Sequence, residues 1–337
     1  MSLKNKTLLI TGIGHFISLR VAEIAVQQGM KVHGLESSAE KARKAEELGA
    51  TVFVGSTNSE MALEKACEGV DIVFHAASFN EAGGSIDIFR TVNVDGTVKT
   101  ATAAKKAGVK TFVHLSSVLV YGFRFPNNIT ETGPLRGENN PYCQTKIESE
   151  KEILKFNNPS DFGVILIRAG DVYGPDADAW VVRPLEIMRK KKFVLIDGGR
   201  GICNHVYVDN LIDGIFLAME KETYGEAFNI TDGCQTTWKE YYTRLAEIGD
   251  RSQPVISVPA LVAKTAIRQQ GKNAELLPES IDFITRTHTY SIEKARCVLG
   301  YEPRITLDEG MARTRKWLQN NHVFNEMPSR NYQNQNV

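Results

Sequence analysis

The chain has 337 residues, of which 42% are apolar and 24% are charged, a composition typical of a soluble protein with one large domain or two modest ones. Forty lysines and arginines balance forty acidic residues, so there is no basic excess to support nucleic-acid or anionic-membrane binding as the main function. Apolar runs are too short to cross a bilayer, which predicts no membrane span. The five scattered cysteines exclude a disulfide framework and a zinc knuckle. They favour a reducing cytoplasm, and we expect no metal site.

Short β-rich runs alternate with helical stretches through the first half of the chain. Strands are predicted at residues 6–11, 31–35, 51–54, 71–75, 110–116 and 163–169. Helices are predicted at residues 16–29, up to about residue 48, and at 59–68, 93–107 and 141–156. This alternation predicts an α/β fold, a doubly wound parallel sheet of the Rossmann type with helices on both faces. Ligands of such sheets bind at the carboxyl ends of the strands.

The alternation weakens beyond about residue 176, which indicates a second, smaller and mostly helical domain for the substrate. We expect an NAD-binding domain at 1–175 and 204–234, a substrate-binding domain at 176–203 and 235–325, and a disordered tail at 326–337. The apolar stretch at 258–267 is typical of a core helix. The basic run at 190–192 is typical of a solvated helix end.

A glycine-containing turn follows the first predicted strand and opens a helix. In such a turn, backbone N–H groups meet a pyrophosphate at the helix N-terminus. Gly12 and Gly14 supply this turn only in part, because His15 and Ser18 stand where two further glycines are required. These residues alone leave two interpretations open, a cofactor site and a tight turn without a ligand.

An acidic residue ends the second predicted strand. Glu36 lies 24 residues after Gly12, and a carboxylate at that place can accept both ribose hydroxyls of an adenosine. It would repel a 2′-phosphate. Ser37 and Ser38 follow it instead of an arginine, so this pattern favours NAD over NADP.

Tyr142 and Lys146 lie at positions i and i+4 of a predicted helix and therefore on one face. An ammonium near a phenol stabilises the phenolate and lowers the pKa of the tyrosine, which lets it shuttle a proton. Ser117 closes the fifth predicted strand and would face the same crevice. A tyrosine and a lysine at this spacing occur often by chance, but the serine makes a catalytic site the better interpretation.

Seven motifs then follow one another along residues 5–235. They are the glycine-containing turn, Glu36, Phe74-His75-Ala76-Ala77, Asn93-Val94-Asp95-Gly96-Thr97, Ser117-x-x-x-Tyr121-Gly122, Tyr142-x-x-x-Lys146 and Val172-Tyr173-Gly174-Pro175. Their order resembles the extended short-chain dehydrogenase/reductase superfamily of the NAD-dependent epimerase/dehydratase type. The resemblance implies an enzyme with a Rossmann fold, NAD as its cofactor, a small-molecule substrate and a homodimer.

The resemblance also implies roles for individual residues. Ser117 would polarise the substrate oxygen, Tyr142 would be the acid or base, and Lys146 would tune Tyr142 and hold the nicotinamide ribose. Asn93 would complete the catalytic set. The residues expected to bind the cofactor are Gly12, Gly14, His15, Phe16, Ile17, Glu36, Ser56, Thr57, Ala76, Ala77, Ser78, Tyr142, Lys146 and Val172. Ser56 departs from the pattern, since the family usually has an aspartate there that contacts adenine.

The branch of the superfamily is read from a few positions. Sugar-nucleotide dehydratases carry acidic residues after the catalytic hydroxyl, where this chain has Val118 and Leu119. Sugar-nucleotide epimerases usually carry an arginine seven residues before the position of Asp209, where this chain has Ile202. Residues 204–210 look more like the 3β-hydroxysteroid and sterol dehydrogenase branch, in which the apolar stretch near residue 260 would cap a hydrophobic substrate.

The resulting expectation is an NAD-dependent oxidoreductase that interconverts a secondary alcohol and a ketone on a largely apolar, steroid-like substrate. Two alternatives stay open. One is a sugar-nucleotide epimerase of the same fold, which would retain its cofactor without net release of NADH. The other is a dinucleotide-binding regulator or pseudoenzyme, suggested by His15, Ser18 and Ser56.

Overall fold

The computed structural model describes residues 2–80, 84–270 and 278–323, and the predicted tail at 326–337 lies outside them. The strands are β1 Thr7–Thr11, β2 Lys31–Glu36, β3 Thr51–Val54, β4 Ile72–His75, β5 Thr111–Ser117, β6 Gly163–Ala169, β7 Asp171–Tyr173, β8 Leu195–Ile196, β9 Ile202–Cys203, β10 His205–Tyr207, β11 Ala227–Ile230, β12 Thr236–Thr237 and β13 Ser257–Val258. The helices are α1 Phe16–Gln27, α2 Ala39–Glu47, α3 Glu60–Cys67, α4 Ile86–Arg90, α5 Gly96–Lys106, α6 Pro141–Leu154, α7 Arg183–Arg189, α8 Val208–Lys221, α9 Trp238–Ile248, α10 Ala260–Gln270, α11 Pro278–Thr285 and α12 Leu307–Asn320.

Seven parallel strands form the central sheet in the order β11-β6-β5-β4-β1-β2-β3. The order reverses between β1 and β4, and this switch point is where doubly wound sheets bind their ligands. The predicted Rossmann-type sheet is therefore confirmed. The prediction of a helix starting at residue 93 is wrong at its N-terminus, because the Ser85 hydroxyl accepts the Ile88 N–H and starts the helical structure at Ile86.

The sheet is buried because its strands are apolar on both faces. All five residues of β1 are buried. Leu8 and Ile10 pack in the larger core cluster, whereas Leu9 packs in a second cluster on the opposite face. This arrangement leaves the carboxyl ends of the strands as the edge at which polar side chains gather.

The chain after residue 286 returns to the edge of this sheet. Tyr290 pairs with Ile129 in a short parallel bridge, and the Tyr301 hydroxyl donates to the Thr231 carbonyl over 3.0 Å. Strand β10 pairs with β7 outside the seven-stranded sheet. The boundaries given above for the two domains stay a prediction.

Helix α10 contains most of the apolar stretch at 258–267, and it does not lie in the core. The side chains of Leu261 and Val262 are 77% and 55% exposed. The expectation of a core helix is therefore wrong, although the helix is still too short to cross a bilayer. Within residues 2–80, 84–270 and 278–323, no helix has the length and apolar character that a membrane span requires.

A buried ion pair joins helix α6 to the sheet. The guanidinium of Arg168, at the end of β6, donates from Nε and one Nη to the two carboxylate oxygens of Glu150 at 3.0 and 2.7 Å. Ser116 donates to the same carboxylate over 2.5 Å, and Arg168 also donates to the Tyr121 hydroxyl over 2.7 Å. Each charge thus has a partner in a place where an unpaired charge would be expensive.

Replacing Arg168 by methionine should lower the free energy of unfolding by about 3–5 kcal/mol, because the Glu150 carboxylate would stay buried without its partner. Urea denaturation of both proteins measures this difference. Arg183→Met provides the control, since Arg183 pairs with Asp178 at an exposed site and its loss should cost less than about 1 kcal/mol. An equal effect of the two substitutions would contradict a structural role of the buried pair.

Candidate active site

Thr11 and His75 lie next to each other at the switch point, at the ends of β1 and β4. The Thr11 hydroxyl accepts the N–H groups of Ala76 and Ala77, each over 3.2 Å, and lies 2.9 Å from Nδ1 of His75. Nε2 of His75 lies 2.9 Å from the Thr97 hydroxyl, which itself donates to the Asn93 carbonyl. Nε2 therefore carries the proton, and Nδ1 accepts one from Thr11.

Burial, and secondarily the charge of Lys146, lowers the pKa of His75 to about 3. The ring is neutral at physiological pH and acts as a brace between β1, β4 and α5. The sequence analysis found His75 only as part of a motif and missed its partners Thr11 and Thr97. The signal available in the sequence was a threonine at the predicted end of β1 and a histidine at the predicted end of β4.

The turn after β1 leaves the N-terminus of α1 free to bind an anion. Gly12 has a φ of +66°, and a Cβ there would lie 3.1 Å from the Cα of Ala77, so only glycine fits. His15 occupies the N-cap position but makes no capping hydrogen bond, and its imidazole is mostly exposed. Phe16 and Ile17 begin the helix, so their N–H groups have no partner within it. A pyrophosphate fits this donor set.

Glu36 is held against the same turn. One carboxylate oxygen accepts the Gly14 N–H over 3.0 Å, and the other accepts the Ser38 N–H over 3.1 Å. The His15 ring lies 4.0 Å away, and its pKa is lowered by burial first and by the charge of Lys41 second, against the opposing effect of Glu36. The turn thus has a fixed negative charge at the place where the sequence predicts the adenosine ribose.

The remaining predicted cofactor residues lie in or shortly after strands β3, β4 and β7. Ser56 follows β3, and its hydroxyl accepts the Asn58 N–H over 3.3 Å. Thr57 is buried against Gly96 at the start of α5, where a Cβ would lie 2.5 Å from the Thr57 hydroxyl. Val172 lies in β7 opposite Val206. Ser56 and Thr57 thus follow β3, and Ala76, Ala77 and Ser78 come directly after β4.

Ser117 and Tyr142 meet at the end of β5. Asn140 caps helix α6 by accepting the Cys143 N–H, which places Tyr142 in the first turn of the helix. Burial raises the pKa of the phenol to about 12, and the nearby Ser117 and Ser78 hydroxyls oppose this shift only in part. The expectation of a lowered pKa is wrong for the protein described here. The phenol is neutral at physiological pH and can donate a proton.

Lys146 lies one helical turn after Tyr142 and is buried. Its Nζ donates to the Leu115 carbonyl over 2.7 Å and lies 6.0 Å from the centre of the Tyr142 ring. Burial lowers the pKa of the ammonium to about 8, and Glu150 partly opposes this shift. The ammonium thus binds a carbonyl of β5 and faces the Tyr142 ring.

Asn93 binds the backbone after β4 and helix α6, and none of its hydrogen bonds within the described residues is to the Tyr142 hydroxyl. Its side-chain oxygen accepts the Phe79 N–H over 2.7 Å, and its nitrogen donates to the Phe79 carbonyl and to the Thr145 hydroxyl over 3.1 and 3.0 Å. It thus fixes the segment that carries Ser78 against helix α6. The Ser78 hydroxyl is buried without a hydrogen-bond partner, which is a second sign that this cleft accommodates a ligand.

A cavity of about 490 Å³ opens beside the loop that follows Ser117. It is lined by Phe123, Arg124, Phe125, Pro126, Arg136, Asp282, Thr285, Arg286, Thr287 and His288. Arg286 donates to Asp171 over 2.7 Å, while its Nε and its other Nη have no partner. The sequence analysis missed Arg286, because its partner is 115 residues away and no local pattern marks it.

Together, the fold and this cleft define a dinucleotide-binding enzyme of the Rossmann type. Residues 8–231 match the NAD dependent epimerase/dehydratase family, and the chain belongs to that family. The expectations of an extended short-chain dehydrogenase/reductase, of an enzyme and of NAD as its cofactor are thereby confirmed.

Individual relatives are distant. The chain is 28% identical over 313 residues to a 4-hydroxy-2-methyl-3-oxo-4-farnesyl-3,4-dihydroquinoline-1-oxide ketoreductase of Stigmatella aurantiaca, covering 90% of this chain and 93% of the relative. It is 28% identical over 286 residues to the decarboxylating sterol-4-alpha-carboxylate 3-dehydrogenase of Homo sapiens, covering 78% and 76%. The solved UDP-glucuronic acid 4-epimerase from Bacillus cereus in complex with NAD is 21% identical, covers 94% of this chain and 99% of its own, and has a TM-score of 0.76. That last likeness shows the fold alone.

We expect NAD to bind at least tenfold more tightly than NADP, because the fixed Glu36 carboxylate would repel a 2′-phosphate. Calorimetric titration of both cofactors measures the ratio. Glu36→Gln should narrow it, whereas Glu40→Gln, at an exposed position of α2, should leave it unchanged. Equal affinities in the native protein would contradict the assignment and direct attention to Lys41.

Lys146 should make the folded protein less stable at neutral pH than at alkaline pH. Its pKa in the folded state is about 8, below its ordinary value of 10.5, so the full cost of burying the charge is present below pH 8 and is lost as the pH rises towards 10.5. Lys146→Met should therefore stabilise the protein by about 2 kcal/mol at pH 7, after allowance for the lost bond to Leu115. Urea denaturation from pH 7 to 10 should show this advantage shrinking.

Lys151→Met is the matched control, because Lys151 lies on the same helix and is exposed. Its free energy of unfolding should follow that of the native protein at every pH. A Lys146→Met variant that is less stable at pH 7, or an advantage that does not change with pH, would contradict the lowered pKa of Lys146.

Proposed function

We propose that this enzyme interconverts a secondary alcohol and a ketone on a largely apolar small molecule. The observation that carries the proposal is the closeness of the Ser117 and Tyr142 hydroxyls at the end of β5. The chain that continues from Ser117 lines the aromatic cavity at residues 123–126. The printed names of two relatives, a ketoreductase and a sterol 3-dehydrogenase, support the same reaction class.

Each catalytic residue has a task that its surroundings suit. When bound, NAD would supply the nicotinamide ring that accepts or donates the hydride. Tyr142 donates its phenolic proton to the carbonyl oxygen during reduction and takes it back during oxidation. Ser117 donates a hydrogen bond to the same oxygen, and Lys146 orients the ribose of the cofactor. Asn93 holds the segment containing Ser78 in place, so we assign it a positioning role.

The cavity suggests what the rest of the substrate looks like. Phe123, Phe125 and Pro126 supply apolar surface for a ring system. The Arg286 guanidinium lies buried behind this wall, and two of its nitrogens have no partner within the described residues, so an acceptor on the substrate that reached them would satisfy them. We therefore expect an apolar body that carries at least one oxygen acceptor away from the reacting carbon.

A sugar-nucleotide epimerase is the second candidate, because the family to which the chain belongs is named for epimerases and dehydratases. Ile202 does not fit an epimerase, because its alkyl side chain offers no donor to a diphosphate. Its backbone N–H donates to the Arg286 carbonyl over 2.7 Å. A cytoplasmic location and a homodimer stay predictions from the sequence.

Mass spectrometry of the cofactor that purifies with the protein, followed by a panel of alcohols and ketones read at the NADH absorbance, tests the proposal. Net formation or consumption of NADH supports a dehydrogenase. Conversion of a sugar nucleotide with the cofactor retained and no net NADH would establish the epimerase instead.

Tyr142→Phe should lower turnover at least a hundredfold and leave NAD affinity nearly unchanged, because only the transferable proton is removed. Steady-state kinetics with the best substrate of the panel and calorimetry with NAD measure the two effects. Tyr224→Phe is the control, since Tyr224 bonds Thr111 away from the cleft and should keep native turnover. A Tyr142→Phe variant with a third of the native activity would assign the proton transfer to another group.

A further inference from the structure

Exposed apolar side chains gather in one region outside the active site. Among residues 2–80, 84–270 and 278–323, eleven large apolar side chains are exposed, and six of them lie within residues 187–194 and 255–262. These six, which we call the apolar platform, are Ile187, Val194, Val255, Ile256, Leu261 and Val262. Val255 and Leu261 are 83% and 77% exposed, which is unusual for side chains of this kind.

Backbone contacts join the two segments into a single surface. Strand β8 pairs with β13, and the Leu195 N–H donates to the Ile256 carbonyl over 2.8 Å. The Asp197 carboxylate accepts the Ala260 N–H at the start of α10 over 2.8 Å. Val194 and Ile256 are therefore neighbours across the strand pair, and Leu261 and Val262 follow directly in the helix.

A run of four consecutive cations adjoins the platform. Arg189, Lys190, Lys191 and Lys192 are exposed and make no ion pair within the described part of the chain. Lys192 is two residues from Val194. The acidic Asp197 at the opposite edge already accepts the Ala260 N–H. In a chain with equal numbers of acidic and basic residues, this is a local concentration of positive charge beside exposed apolar surface.

We propose that the apolar platform and its basic run dock the protein on an anionic phospholipid bilayer. Exposed aliphatic side chains would enter the boundary between headgroups and acyl chains, while neighbouring lysines would attract anionic headgroups. A second copy of the chain fits less well, because a two-fold contact through this face would bring two basic runs towards each other. This inference does not depend on the proposed reaction.

The platform also lies close to the cavity. Helix α10 packs against α11, and Lys264 donates to Asp282 over 2.6 Å. Asp282 in turn lines the cavity. A protein seated on this face would hold the cavity one helix away from the lipid surface.

Flotation of the full chain with phosphatidylcholine vesicles, with and without phosphatidylglycerol, tests the proposal. We expect binding to the anionic vesicles only, reduced at least tenfold when the ionic strength rises from about 0.1 to 1 M. The triple variant Lys190→Glu, Lys191→Glu and Lys192→Glu should lose at least tenfold in partitioning. A variant with Leu261→Glu and Val262→Glu should lose a similar amount.

Two controls match these variants. Lys31→Glu, Lys65→Glu and Lys151→Glu together change the net charge equally at exposed sites elsewhere. Val54→Glu and Met61→Glu together add two charges at other exposed apolar positions. Both should bind as the native chain does, and thermal melting checks that every variant is folded. Absence of binding by the native chain, or equal losses in variants and controls, would overturn the proposal. Dimerisation that the Leu261/Val262 variant abolishes, without vesicle binding, would identify the face as a contact between copies.

Discussion

A buried ion pair between the sheet and helix α6 is the constraint on which the site depends. Glu150 lies one turn beyond Lys146, and Arg168 holds it from the end of β6. Ser116, next to the catalytic Ser117 proposed here, donates to the same carboxylate. The helix therefore cannot shift along the sheet without leaving charges unpaired in the interior. The ion pair therefore fixes the first turn of α6, which contains Tyr142, against the end of β5.

The same burial that makes the pair necessary also sets the chemistry of the site. It raises the pKa of Tyr142 to about 12 and lowers that of Lys146 to about 8. Burial thus moves the two pKa values apart from their ordinary values of 10.0 and 10.5, because it disfavours the charged form of each group. Glu150 limits the shift of the lysine and so connects the ion pair to the reacting groups. Perturbed values of this kind are concentrated where catalysis is expected.

Local patterns predicted the fold well and the contacts of the site poorly. A strand such as 163–169 is recognised from the apolar residues within it. The turn before α1 is recognised from its glycine. Each signal lies within a few residues of the chain. The family resemblance named Asn93, but its bonds to Phe79 and Thr145 depend on the packing of α6 against the segment after β4. Arg286 and Asp171 meet only because the chain returns to the sheet edge late. No pattern within a short window carries that information.

The departures from the glycine pattern bear on how the turn binds its cofactor. Of the positions in the turn, Gly12 is the one with a left-handed φ, and it keeps its glycine. His15 has a φ of −102°, which any residue adopts, and Ser18 lies inside a regular helix with its small side chain buried. Neither substitution strains the backbone, and neither removes an N–H group from the helix N-terminus. The pKa of His15 is lowered, by burial first and by the charge of Lys41 second, which disfavours a charged His15 and favours phosphate binding by these backbone donors. The turn therefore retains what a pyrophosphate needs, and the main argument for a pseudoenzyme is weakened.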